Sequence, residues 1–230
     1  MHPRQPSPII PSSLLLHAYR AGVFPMADGR EDPDVFWVEP HERAVFPLET
    51  FAPSRSLAKT VRQDRFAVSW DRDFGEVIAA CAEPRASGGG SWISHRIEAN
   101  YVALHEAGHA HSLEVRDGNG ALVGGLYGVA FDSVFCGESM FSRATDASKV
   151  ALVWLVAGLK AAGFRLLDCQ FMTPHLASMG AVAMPQEAYR KRLDAARDDA
   201  PLTLPEALSQ LVQASVSPGK SIAQSFTKTS

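Results

Sequence analysis

The residues able to do chemistry stand in otherwise apolar runs. Asp168, Cys169 and Gln170 interrupt RLLDCQF (165–171), which reads as a buried strand. Strand side chains alternate, so Asp168 and Gln170 are expected on one face and Cys169 on the other. A carboxylate in a buried strand is costly unless it is paired. Two readings follow: a structural hydrogen-bond pair, or a polar site that accepts a cation and polarises a carbonyl. Glu138, in GESMF (137–141), is a second carboxylate of the same ambiguity, either a site group or one that fixes a loop. His105-Glu106-Ala107-Gly108-His109 matches H-E-x-x-H, which would serve a zinc hydrolase. That chemistry needs both histidines one turn apart on a helix face, with the Glu beside the metal-bound water. Gly108 stands where the helix should stop, so the competing reading is helix-end and strand-start residues. LVGGLYGV (122–129) lacks both glycine-rich phosphate motifs and lies between strands. It reads as a strand needing close backbone approach or a bulge. Arg55, Lys59, Arg62 and Arg65 repeat a cation every three to four residues. They fit either a phosphate-binding surface or a solvated helix face.

Composition bounds these readings. The chain has 230 residues, 46% of them hydrophobic and 20% charged, enough for one sizeable core or a main domain with a small one. Its net charge of -3 leans against an extended nucleic-acid surface, though not against a local basic patch. Cys81, Cys136 and Cys169 form no C-x-x-C pair and sit in apolar contexts, as expected of reduced, buried thiols. The opening MHPRQPSP has no apolar signal core after its charges, and no run is long enough to span a membrane. The expected location is the cytoplasm.

Several elements must position the candidate residues. The first 62 residues carry many breakers and short elements: a Pro-rich start, a helix in 14–22, strands at 36–38 and around 42–48, and a helix from 57. They read as a small α+β domain. A strand (66–70), a helix (74–81), a flexible Gly run (88–90) and a helix (97–106) follow, then antiparallel strands turned at D-G-N-G (117–120). Asp146 is expected to cap a long apolar helix ending at Gly163, which leads into RLLDCQF. A short helix (175–180) and a last helix (186–196) complete the domain, and residues 213–230 are expected to be a disordered tail. The order of strand, two helices, antiparallel strands and a β-α-β crossover predicts an α+β, GNAT-like acyltransferase domain over 63–212.

These segments resemble the leucyl/phenylalanyl-tRNA–protein transferase family. The stretches that carry the resemblance are YRAGVFP (19–25), WVEPHERAVFP (37–47), SRSLAK (54–59), WIS (92–94), LHEAGHAHSLEV (104–115), LVGGLYGV (122–129), FCGESMFS (135–142), ASKVAL (147–152) and DCQ (168–170). They occur in family order, which makes the match specific. The resemblance implies transfer of Leu, Phe or Met from aminoacyl-tRNA to proteins with N-terminal Arg or Lys, marking them for N-end-rule degradation. It implies a monomer needing no cofactor, metal or membrane, with H-E-A-G-H as scaffold. Asp168 would pair with the Arg or Lys of the acceptor, Gln170 would hydrogen-bond at the reacting centre, and Glu138 would organise the same site. Leu126, Phe135, Leu152, Leu155 and Leu167 would form the pocket for the Leu or Phe side chain. Trp92, Met26 and Tyr19 would complete the substrate site, and Arg55, Lys59, Arg62 and Arg65 would meet the tRNA. The chain departs from the family pattern at Met26, where some relatives have Trp, at Arg116 in place of Trp, and at Gln186 in place of Arg. The competing classes are a zinc hydrolase using His105, Glu106 and His109, and a non-catalytic tRNA- or peptide-binding module.

Overall fold

The computed structural model describes residues 9–84, 90–198, 200–213 and 217–227. Helix α1 (Ser12–Arg20) precedes two short strands, β1 (Phe24–Met26) and β2 (Phe36–Val38), which pair antiparallel as a separate sheet. Then come β3 (Glu42–Phe46), α2 (Arg55–Arg62), β4 (Ala67–Trp70), α3 (Phe74–Ala82) and α4 (His95–Glu106). The meander β5 (Ala110–Arg116), β6 (Leu122–Phe131) and β7 (Val134–Ser142) leads to α5 (Ala147–Ala162) and β8 (Leu166–Asp168). The chain ends with α6 (Pro174–Ser178), β9 (Val182–Pro185), α7 (Gln186–Ala195), α8 (Leu204–Gln213) and α9 (Pro218–Ser225).

Among the described residues the main sheet has seven strands in the order β4-β5-β6-β7-β8-β3-β9. All its neighbours are antiparallel except β7 and β8, which run parallel through the α5 crossover. This is the α+β order that the sequence pattern predicts. Side chains of α1, β1, α3, α4 and α7 cover one face of the sheet, and those of α2, α5, α8 and α9 the other. Helix α5 is apolar on nearly every side because it lies between the sheet and α8, so almost all its residues are buried.

Three expectations need correction. The division at residue 62 cuts through the main sheet, since β3 lies between β8 and β9. Short breaker-rich segments look like a separate domain in sequence, and only long-range pairing shows where β3 belongs. The tail is not wholly disordered either. Part of the stretch from 213 forms α9, with Ile222 fully buried and Asp64 accepting the Gly219 N–H at 2.7 Å. Its Ser- and Lys-rich composition hides one buried apolar residue in a docked helix. Asp146 makes no side-chain cap bond; it takes φ +68° and pairs with Lys149 at 3.0 Å. Strand β9 and helix α8 were unexpected, and residues 88 and 89 of the Gly run lie outside the described residues.

The α2–α9 contact yields a prediction. A Cβ at position 219 would run into the carbonyl oxygen of Val61. Overpacking of this kind costs about 1–3 kcal/mol. G219A is therefore expected to lower the thermal midpoint while D64N, which weakens the hydrogen bonds to α9 and keeps a residue type that tolerates φ +48° at this position, lowers it less. Equal midpoints for G219A and wild type would show that α9 is not seated there.

Candidate functional site

The site forms where β7 and β8 part. Their parallel ladder runs Val134↔Leu166, Phe135↔Leu167 and Cys136↔Asp168, and stops. Strand β8 ends there, but the chain stays with β3: Cys169 N–H donates to Ala44 O at 2.8 Å, and Gln170 O accepts from Ala44 N–H at 3.0 Å. Strand β7 continues along β6 to Ser142. The β6–β7 register shifts between Gly128↔Gly137 and Tyr127↔Ser139, so Glu138 is the extra residue of a bulge. A bulge turns a side chain out of the regular alternation. Position 128 takes no larger residue, because a Cβ there would meet the Cys136 carbonyl oxygen. The glycines of LVGGLYGV thus serve close approach and a bulge.

A cavity of about 580 Å³ fills the split. Its walls come from both faces of the sheet: Leu126, Leu152, Leu155 and Leu167 from one core, Phe24, Met26, Trp92 and Tyr127 from the other. Glu138, Gln170 and Cys169 supply its polar corner, and the segment around α6 (Phe171, Thr173, Pro174, His175, Leu176) closes one side. Four of the five expected pocket residues therefore line it. Phe135 does not: it is fully buried on the apolar face beneath β7. Trp92 and Met26 line it as expected, whereas Tyr19 stands behind Glu138.

The polar groups form one connected network. Glu138 Oε1 accepts from Tyr19 OH at 2.8 Å and from Gln170 Nε2 at 3.1 Å, and Glu138 Oε2 accepts from Tyr101 OH at 3.0 Å. The two tyrosine hydroxyls lie 2.5 Å apart. Burial pushes the Glu138 carboxyl up to about 8, against the two tyrosine hydrogen bonds that favour its charge. Both tyrosines are raised well above their ordinary value, first by burial and then by the Glu138 charge, so they remain hydroxyl donors. Gln170 is a non-glycine residue at φ +54°, a sparsely populated conformation. Asp168 holds it there: its Oδ1 accepts the Gln170 N–H at 2.9 Å.

Asp168 does not face the cavity, contrary to the expected contact with an acceptor's Arg or Lys. It has no exposed surface, and its cation is internal. Asp168 Oδ2 accepts from Arg43 Nη1 at 2.8 Å and from Tyr189 OH at 3.0 Å. Burial raises the Asp168 carboxyl, while Arg43, the Gln170 N–H and Tyr189 oppose the rise. Arg43 also donates to the Gly22 carbonyl and lies 4.4 Å from the Tyr189 ring centre and 5.1 Å from that of Phe24. Nor do Asp168 and Gln170 share a strand face, because the chain leaves β8 between them. Sequence reasoning missed Arg43, Tyr101 and Tyr189. For Arg43 a signal existed: a cation inside ERAVF, and a buried carboxylate in need of one.

The remaining candidates lie elsewhere. Arg55, Lys59, Arg62 and Arg65 are exposed on or just after α2, and none lines the cavity. His105 and His109 are not on one helical turn. Helix α4 stops at Glu106, Gly108 has φ +79°, and His109 N–H returns to Leu104 O at 2.9 Å. His105 stacks on Phe74 at 4.4 Å, with its Nδ1 2.8 Å from Ala110 O.

An apolar chamber that ends in an amide and a high-pKa carboxylate suits acyl transfer: it buries an acyl side chain and presents an amine beside it. The fold is of the α+β class, with one mixed sheet between two helical layers. Comparison with known proteins gives the family. Residues 11–41 match the model of the leucyl/phenylalanyl-tRNA protein transferase N-terminal domain, and residues 45–194 match that of leucyl/phenylalanyl-tRNA protein transferase. The chain belongs to this family. It is 62% identical over 188 residues to the leucyl/phenylalanyl-tRNA–protein transferase of Novosphingobium aromaticivorans, covering 82% of this chain and 71% of that one. It is 54% identical over 191 residues to the Ruegeria pomeroyi enzyme of the same name, covering 83% of this chain and 89% of that one. The first matched stretch ends just before β3 and the second begins within it.

Two predictions follow. Removing Arg43 alone strands a buried carboxylate, which costs about 3–5 kcal/mol. R43M is expected to lose this much in chemical denaturation and R43M/D168N to recover a large part; no recovery would mean that Arg43 acts by packing alone. The second concerns pH. The Glu138 carboxyl titrates near 8 when folded and near its ordinary 4.5 when unfolded. Between these values the folded state holds the extra proton, so its stability falls as pH rises. The loss is up to about 1.4 kcal/mol per pH unit in that window and ceases above it. Wild type should therefore lose thermal stability relative to E138Q between pH 5 and 8; a constant gap contradicts the raised value.

Proposed function

We propose that the cavity holds the aminoacyl end of a charged tRNA and that Glu138 and Gln170 present the acceptor's amine to its ester. The activity is that of a leucyl/phenylalanyl-tRNA–protein transferase. Its acceptors are proteins beginning with Arg or Lys, and the added residue directs them to degradation by the N-end rule. The four leucines and Met140 take the Leu or Phe side chain. Such a wall discriminates weakly between apolar side chains of similar size, which suits relaxed Leu and Phe choice. Trp92 and Met26 flank the adenosine end, and the exposed cations on and after α2 meet the acceptor-stem phosphates.

An aminoacyl ester is already activated, so the enzyme need only position it and manage one proton. The acceptor amine attacks the ester carbonyl carbon, a C–N bond forms, and the C–O bond to the ribose breaks. The ammonium proton leaves to Glu138 and passes from it to the released ribose oxygen, which regenerates the carboxylate. A carboxyl near 8 is matched to an α-amino group, whose ordinary value is about 7.7–8.0. Gln170 spends its Nε2 on Glu138, which turns its Oε1 to the incoming amine. Asp168 is a positioning residue: it fixes the strained main chain that aims Gln170. The observation that carries the reading is the Gln170–Glu138 bond, set at the polar end of an otherwise apolar cavity.

The test is transfer of labelled Leu from Leu-tRNA to a peptide starting with Arg. E138Q is expected to lose about 10²–10⁴-fold in kcat, the usual span for general acid–base catalysis. Q170A should fall by a similar order, and D168A should lose transfer through misplacement of Gln170. Rates within twofold of wild type for E138Q and Q170A would overturn the assignment.

A further inference from the structure

We infer that the N-terminal segment of the acceptor protein adds to β7 as an extended parallel strand, in the split that β8 leaves open. The inference rests on the transferase reading and concerns the acceptor beyond its first residue.

The first observation is an open strand edge inside the molecule. β7 pairs with β8 only as far as Cys136, yet it follows β6 to Ser142. Successive residues of a strand turn their N–H and C=O groups to opposite sides, so alternate residues after 136 direct theirs away from β6. Among the described residues, the main chain of 138–142 has no backbone partner other than β6. An unpaired edge of this kind is a template for an added strand.

The second observation is a trough along that edge. A second cavity, of about 320 Å³, lies against residues 140–143 and is walled by Ala80, Cys81 and Glu83 at the end of α3. Met140 belongs to both cavities. Together they follow β7 from Gly137 to Arg143, about 20 Å at about 3.3 Å per residue. That is room for about six extended residues. The exposed end of the trough carries the Arg143–Glu83 ion pair at 2.7 Å.

Polarity follows from the site. The acceptor's amine lies at Gln170 and Glu138, next to the last residue of β8. A chain starting there and running toward Arg143 travels with β7, as β8 does. The acceptor thus continues the parallel ladder that β8 abandons. Its recognition by main chain makes the enzyme tolerant of sequence after the first residue and demands an extended, unfolded N-terminus.

The test uses wild-type enzyme and hexapeptides beginning with Arg, each with one backbone amide N-methylated at residues 2 to 6. In a strand, only alternate N–H groups face the neighbour. N-methylation is expected to lower kcat/KM at least tenfold at every second position and less than threefold between them. Alanine replacement of side chains at residues 2 to 6 should change it less than threefold. Uniform tolerance of N-methylation, or dependence on side chains instead, overturns the inference. Arg-amide, too short to enter the trough, separates the two levels. Its use as an acceptor sustains the transferase reading whatever the hexapeptides show, and absence of transfer to every acceptor removes that reading itself.

Discussion

A guanidinium and a carboxylate removed from water together are tolerated only where each finds its remaining hydrogen bonds. Arg43 and Asp168 meet that condition, and the geometry of the site follows from how they do. Asp168 gives one oxygen to Arg43 and Tyr189 and the other to the main chain of Gln170. Arg43 divides its donors between Asp168 and the Gly22 carbonyl, with its plane against Tyr189 and Phe24. A single ion pair therefore ties the turn before β1, the strand β3, the end of β8 and helix α7 to one point. Because Phe24 also lines the cavity, the segment around β1 and Gln170 are held in register by the same contact.

The second constraint is the divergence of β7 and β8. A parallel pair inside a sheet would normally close against itself. Here β8 ends after three residues and hands its continuation to β3, while the bulge at Glu138 bends β7 toward the gap. The gap exposes both cores at once. That explains how one chamber has four leucines from the α5 side and Trp92 and Tyr127 from the other. It also places two chemically different surfaces in one chamber: apolar walls, and a carboxyl backed by tyrosine donors.

Burial does the electrostatic work. The Tyr19 and Tyr101 hydroxyls and Arg43 favour the ionised form of Glu138, yet desolvation, joined by the Asp168 charge, outweighs them and moves the carboxyl to about 8. A carboxylate left in water could not exchange a proton efficiently with an amine. The same burial makes the folded protein lose stability as pH rises from about 5 to 8.

Much of this was legible in the residues themselves. The long apolar run of α5 with its stop at Gly163, the D-G-N-G turn and the alternating segment of β5 follow from local preference. The apolar–polar contrast of RLLDCQF marked Asp168 and Gln170, and ordered motif resemblance named the chemistry. Four pocket leucines were found because a family pattern carries their positions. Other features depended on contacts between residues far apart in the chain, and local pattern cannot encode these. Arg43 and Asp168 are 125 residues apart, and either alone reads as an ordinary charged residue in a strand. Asp168 was expected to face a substrate cation; the fold gave it an internal one and left Glu138 as the carboxyl in the cavity. The boundary of the first unit, the docking of α9 and the opening between β7 and β8 were likewise fixed by tertiary structure. Sequence determined which residues carry charge and which segments are buried. Only packing decided which carboxylate is paired with a cation inside the protein and which faces the cavity.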